Sequence, residues 1–230
     1  MADWSKYQAW NRRNERMAQV WIQPLVQYLA TRPATVRRGN VLDFGCGYFD
    51  AGLALLPKAA RVDGVDLDTE ALAVARERAA AVGGTSELVN DLGQLAASGR
   101  RYDLIFINSV LQYLPDVVAV RKTLTRLRDL LSAAPDAELV IADLLPATYS
   151  ASRDALRGLG VAVKTGVLVP MVVHLAKAAT RPKHLDLLRL GPEEMTGLAR
   201  ELGLACEILP RNLTPSRERF SVRLARAGGT

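Results

Sequence analysis

In the stretch VLDFGCGYFDAG, residues 41–52, Asp43, Gly45 and Gly47 join an acid to two glycines directly after an apolar run. Glycine removes the side chain that would keep a ligand away from the backbone amides, and the acid can take a cationic donor or an ordered water. A plain tight turn would use the same glycines. Asp66 closes a second apolar run, RVDGVDLD, where a carboxylate can accept from both hydroxyls of a ribose. Asp91 follows a third, SELVN, where a short acid can meet the exocyclic amine of adenine. Asn108 and Ser109 end a fourth, YDLIFIN, beneath a reactive centre. Any one of these acids could be a helix cap. Four polar positions at four successive run ends, together with the glycines, point instead to a bound ligand. The dinucleotide pattern G-x-G-x-x-G is not completed, because Asp50 occupies its third glycine position and Phe49 stands two residues after Gly47. A pyrophosphate-bearing cofactor is thereby disfavoured.

These positions need a scaffold that brings strand ends together. From residue 40 the chain alternates short apolar runs with helical patterns: a helix near 51–56 stopped by Pro57, strand two at 61–68, and an alanine-rich helix capped by Thr69 and ended by Gly83 and Gly84. Strands follow at 86–90 and 102–108, then a helix capped by Asp116 to about Ser132, then strand five at 137–143. Buried runs alternating with helices predict a doubly wound, mostly parallel sheet. A helix starting at Pro192 and stopped by Gly203 precedes strands at 204–209 and 220–225, which pair as a terminal antiparallel hairpin, seven strands in all. One domain is expected over 1–230: an N-terminal helical cover (1–38), a ligand-binding core (39–144), a helical insertion after strand five (145–190) and the final helix and hairpin (191–230). Trp4, Tyr7, Trp10, Trp21 and Tyr28, among arginines such as Arg12 and Arg13 in the cover, suit either plain packing or closure over a charged, ring-bearing ligand.

Composition narrows the class. Apolar residues make up 49%, enough for a sizeable core. The net charge of +6 is spread along the chain, from Arg12 and Arg13 to Arg217 and Arg219, as solvated surface rather than a nucleic-acid arm. Cys46 and Cys206 give no disulfide framework, and no signal peptide is read at the N-terminus, so a reducing cytoplasm is the expectation. Two cysteines and the distant His174 and His184 offer no zinc spacing, so no metal is expected. The most apolar stretch, residues 166–176, is shorter than the ~18 residues of a spanning helix and carries Pro170, so contact with a membrane is at most peripheral.

VLDFGCG, GVDLD, NDL and YDLIFINSVLQYLPD, in this order and spacing over residues 40–143, resemble the successive motifs of class I S-adenosylmethionine-dependent methyltransferases. The resemblance implies a Rossmann-like fold with S-adenosylmethionine as cofactor. It implies that Asp43, Gly45, Cys46 and Gly47 line the methionine portion, Asp66 binds the ribose and Leu67 packs on adenine. It further implies that Asp91 and Leu92 hold the adenine amine while Asn108, Ser109 and Tyr113 lie near the sulfonium. Phe49 departs from the pattern and is expected to reshape the loop. Tyr113 stands where many relatives carry histidine, so no base is carried over at that position.

Methyl transfer from a sulfonium is an in-line displacement, and a base is needed only for an unactivated hydroxyl. The insertion at 145–190 follows strand five at the ligand's end of the sheet and is expected to supply the acceptor pocket. Its candidate catalytic groups are His174 and Tyr149, and Asp143 and His184 are candidate acceptor contacts. The apolar body VAVKTGVLVPMVVHLAKAATRPKH with its basic flanks reads as a lid helix buried on the core. It reads alternatively as a surface for a lipophilic or anionic acceptor. The expected function is methylation, most simply on oxygen, of a small-molecule, glycan or lipid-linked acceptor in biosynthesis. A nucleic-acid methyltransferase lacks support, since SVLQYLPD replaces the N/D-P-P-aromatic motif of base-methylating relatives. A non-catalytic cofactor-binding protein is the other alternative.

Overall fold

A computed structural model describes residues 15–34, 38–179 and 187–226. Its strands are β1 (Asn40–Phe44), β2 (Arg61–Val65), β3 (Leu88–Val89), β4 (Leu104–Asn108), β5 (Glu138–Leu144), β6 (Leu204–Ile208) and β7 (Phe220–Arg226). They form a single sheet in the order β3-β2-β1-β4-β5-β7-β6. The first five run parallel, and β7 inserts antiparallel between β5 and β6. The order reverses at β1/β4, so the carboxyl ends of those strands open a crevice. This is the doubly wound, seven-stranded sheet expected from the sequence, with its terminal hairpin.

Eight α-helices are described: α1 (Glu15–Ala30), α2 (Asp50–Leu55), α3 (Thr69–Val82), α4 (Leu92–Ala97), α5 (Val117–Leu130), α6 (Ala151–Thr165), α7 (Leu168–Ala179) and α8 (Pro192–Glu201). On one face of the sheet, Val120, Leu124 and Leu127 of α5 and Met195 and Leu198 of α8 pack against Ile105, Ile107 and Leu139. Their helical spacing gives each helix one apolar stripe, while Arg121 and Arg126 stay outside. On the other face, Leu25 and Leu29 of α1, Leu55 of α2 and Leu72 and Ala75 of α3 cover Val41, Leu104 and Val140. Both faces of the central strands are therefore dry, which explains why β4 and β5 read as continuous apolar runs.

Local chemistry moves several predicted boundaries. Asp68, not Thr69, caps α3: its carboxylate accepts from the amides of Glu70 and Ala71, and Thr69 is the first helical residue. Strand three shrinks to two residues at the sheet edge. The apolar insertion is two helices rather than one lid, because Gly166 adopts a left-handed conformation and ends α6. Met17 of α1, Ala162 of α6, and Val167 and Met171 near the start of α7 form a separate small core. The α6–α7 pair is thus held to the body through α1. The N-terminal aromatic and basic residues Trp4, Tyr7, Trp10, Arg12 and Arg13 lie outside the described residues.

Candidate active site

The glycine loop begins where β1 ends. The amides of Gly45 and Cys46 both donate to the Val65 carbonyl of β2, at 2.7 and 3.0 Å. The loop therefore folds back beside the neighbouring strand end, where Asp66 stands. Asp66 Oδ2 accepts from the Gly47 amide at 2.7 Å, and Oδ1 accepts from the Asp68 amide at 2.9 Å. Two positions far apart in sequence become one surface. Gly45 has φ +78°, and a Cβ there would lie 2.2 Å from Val110 Cγ2. The segment after β4 thus sits directly on the loop, and only glycine fits between them.

Phe49 is the departure from the glycine pattern, and its backbone still behaves as glycine's would, with φ +64° at the start of α2. Its ring is buried over Gly52, whose Cβ would fall 2.0 Å from Phe49 Cε2, and beside Gly64, at 3.2 Å. The ring fills the space that two glycines leave open. Arg78 of α3, which the sequence reading did not single out, pins the loop from outside. It donates to the Tyr48 carbonyl at 2.7 Å and pairs with Asp50 at 2.7 Å.

The acids at the loop are not ordinary carboxylates. Burial pushes the Asp43 carboxyl well above the usual range, and nearby Asp66 and Asp50 push it further against the pull of the Gly52 amide. Asp66 is raised by burial and drawn back by the amides of Asp68 and Gly47. The Cys46 thiol, also buried, is raised in the same way and stays protonated at neutrality.

Other predicted positions fall around this centre. Leu67, next to Asp66, is 89% exposed, an apolar platform standing in water. Asp91 caps α4 by accepting from the Gly93 amide, with Arg126 within 3.8 Å. The Leu92 side chain belongs to the core. Asn108 Oδ1 at the end of β4 is buried without a hydrogen-bond partner, as is Oε1 of Gln112, which the sequence reading passed over. Tyr113 closes the short 3-10 turn Leu111–Tyr113 and is exposed.

Asp143 lies in a bulge of β5, where the pairing with β7 shifts between Ile141 and Leu144. Its backbone is left-handed, φ +70°, as is that of Ser109 on the neighbouring strand end, φ +58°. With Phe49, these are the three non-glycine residues of positive φ among the described residues, and all lie at or beyond the carboxyl ends of parallel strands. The Asp143 carboxylate accepts from four donors: Asn212 Nδ2 and Thr214 Oγ1 at Oδ1, and Ser109 Oγ and Arg219 Nη1 at Oδ2. Arg219 also reaches Asp154 of α6 at 2.9 Å and the Tyr149 hydroxyl at 3.3 Å, with its guanidinium over the Tyr149 ring. Burial raises the Tyr149 phenol and Arg219 draws it back. Arg219 is therefore an internal hub, not the solvated charge its sequence context suggested. The side chain of His174, on α7, and all of His184 lie outside the described residues.

With this geometry in place, comparisons with known proteins are informative. Residues 42–139 match a family model described as "Methyltransferase domain". The fold is similar to magnesium protoporphyrin IX methyltransferase (ChlM) from Synechocystis PCC 6803, solved with bound SAH, at TM-score 0.59 and 18% identity over 99% of this chain and 89% of that one. An O-methyltransferase family protein from Burkholderia thailandensis superposes at TM-score 0.63 and 19% identity, over 95% of this chain and 60% of that one. Mitomycin 7-O-methyltransferase MmcR gives 0.59 and 17%, over 90% and 54%. At such identities the likeness carries the fold alone. No curated protein matches the chain in sequence. Residues 42–139 thus form a methyltransferase domain, carried on a seven-stranded sheet of Rossmann-like fold with the glycine loop and Asp66 at its strand ends. No described helix is long and apolar enough to cross a membrane.

Proposed function

We propose that this enzyme transfers the methyl group of S-adenosylmethionine to a hydroxyl of a small-molecule, glycan or lipid-linked acceptor, seated between the glycine loop and the segment 145–190. One observation carries the reading: the Gly47 amide and the Asp66 carboxylate meet at 2.7 Å where β1 and β2 end. That contact supports reading the glycine loop and the acid proposed for the ribose as one binding surface. The residues around it fit the cofactor. Leu67 offers an exposed apolar face for an adenine ring, and Asn108 Oδ1 is a buried acceptor in want of a donor. Asp43, Gly45, Cys46 and Gly47 would hold the methionine portion, Asp66 the ribose, and Asp91 with the Leu92 backbone the adenine amine.

When bound, the cofactor supplies an activated methyl group on a positively charged sulfur. The chain's own residues orient the partners and exclude water. Ser109, fixed by Asp143, and Tyr113 border the reacting end. Because all four donors around Asp143 are internal, Asp143 acts as a positioning residue, tying Ser109 to Arg219. The Tyr149 hydroxyl stays protonated at neutral pH and donates to Asp154 at 3.2 Å, so it is not the base; His174 is the proposed base for an unactivated hydroxyl. Incubation with methyl-labelled cofactor and fractionated metabolite extracts tests the assignment. Label in a small-molecule product as a methyl ether, retained through mild alkali that would release a methyl ester, supports it. Label confined to nucleic acid, or none in any fraction, rejects it.

A further inference from the structure

The exposed large apolar side chains are concentrated in one place. Leu156 and Val163 of α6 and Leu168, Val169, Val172 and Val173 of α7 stand in solvent on two consecutive helices, with Val169 at 74% and Leu156 at 71% exposure. On α6, the exposed positions 153, 156, 157, 160, 163 and 164 form one stripe at helical spacing. Its inner face carries Gly158 and Ala162; a Cβ at Gly158 would lie 2.5 Å from the Met171 methyl group of α7. The helices are therefore closely packed, and their apolar stripes turn away from that contact.

Charge on this face has one sign. Arg153, Arg157 and Lys164 share the α6 stripe with Leu156 and Val163, and Arg16 lies beside the Gly166 turn. The acids are withdrawn. Asp154, the single acid in α6 and α7, is bonded to Arg219 and Ser216. The Glu218 side chain is nearly covered beneath Arg153 and Arg157, whose own side chains remain half exposed. A second copy of this chain is a poor occupant, because a two-fold contact would bring these cations together without an acid to meet them. An anionic lipid surface meets both requirements: headgroups for the cations, and the acyl boundary for the valines.

We infer that the outer face of the α6–α7 pair docks reversibly on anionic phospholipid bilayers. The inference goes beyond methyl transfer and does not depend on the acceptor.

Flotation of the full chain with phosphatidylglycerol-containing and with pure phosphatidylcholine vesicles tests it, alongside sedimentation analysis without lipid. The expected result is recovery with the anionic vesicles alone, falling as salt rises. Val169→Asp combined with Val172→Asp should abolish recovery, and Lys164→Gln should weaken it about fivefold. Both variants change exposed side chains and should keep wild-type melting. Val118→Asp, at an exposed valine on α5 away from this face, should float like wild type. Absence of wild-type recovery, or recovery unaffected by the paired valine substitutions, overturns the proposal. So does a wild-type dimer that those substitutions dissociate without any lipid binding, which would make the face an interface between copies.

Discussion

Arg219 Nη1 donates to Asp143 Oδ2 at 2.5 Å, joining the residue that precedes β7 to the bulge that ends β5. Both groups are largely removed from water, and each has further partners. Arg219→Met should leave the Asp143 carboxylate buried without its cation and lower unfolding stability by about 3–5 kcal/mol. Asp143→Asn in the same chain should recover part of that loss. Urea melts of both singles and the double complete the cycle; strict additivity would mean that the two side chains do not couple.

Phe49 and Gly52 should behave as a pair. Phe49→Gly removes a ring buried in the core and relieves a left-handed backbone, for a net loss of about 2–4 kcal/mol. Gly52→Ala alone should also destabilise, since its Cβ would meet the ring at 2.0 Å. In the Phe49→Gly background the same alanine should become stabilising by about 1 kcal/mol, its helix propensity no longer opposed. Thermal melts that show the same sign in both backgrounds would refute the pairing.

Asp43 gives a pH signature. Its pKa in the folded chain lies above its unfolded value, so its contribution to stability is complete below about pH 4 and is lost as pH rises through the folded pKa. The unliganded enzyme should therefore weaken with rising pH over that window. Asp43→Asn should flatten this part of the profile and raise the melting temperature at neutrality, while impairing cofactor binding. A variant with the wild-type pH profile would show that the acid carries no such penalty.

The alternation of apolar runs and helices made the doubly wound, mostly parallel sheet and its terminal hairpin legible, though not the strand order, and strand-end acids drew attention to Asp66 through their spacing. What stayed hidden depends on contacts between distant segments. Arg219 looks like any arginine in PSRERF until the β5 bulge brings Asp143 to it and α6 brings Asp154. Arg78 reaches the loop from α3, 30 residues on, with no local signal. The Thr69 cap was misplaced by one residue because Asp68 and Thr69 are both capping types, and the carboxylate bonded the free amides. The break between α6 and α7 was written in Gly166, but the apolar sequence around it masked a stop that its left-handed backbone makes plain.

Calorimetry of S-adenosylmethionine with wild-type enzyme and with Asp66→Ala tests the central claim most directly. Asp66 accepts from the Gly47 amide and is the acid proposed to receive the ribose hydroxyls, so its loss should remove charged hydrogen bonds and loosen the loop. Wild type should bind with one cofactor per chain, and the variant, folded by its melt, should bind about 1.5–3 kcal/mol more weakly. Equal affinity in the two proteins, or no heat of binding in the wild type, would contradict the assignment of this loop and acid as the cofactor site.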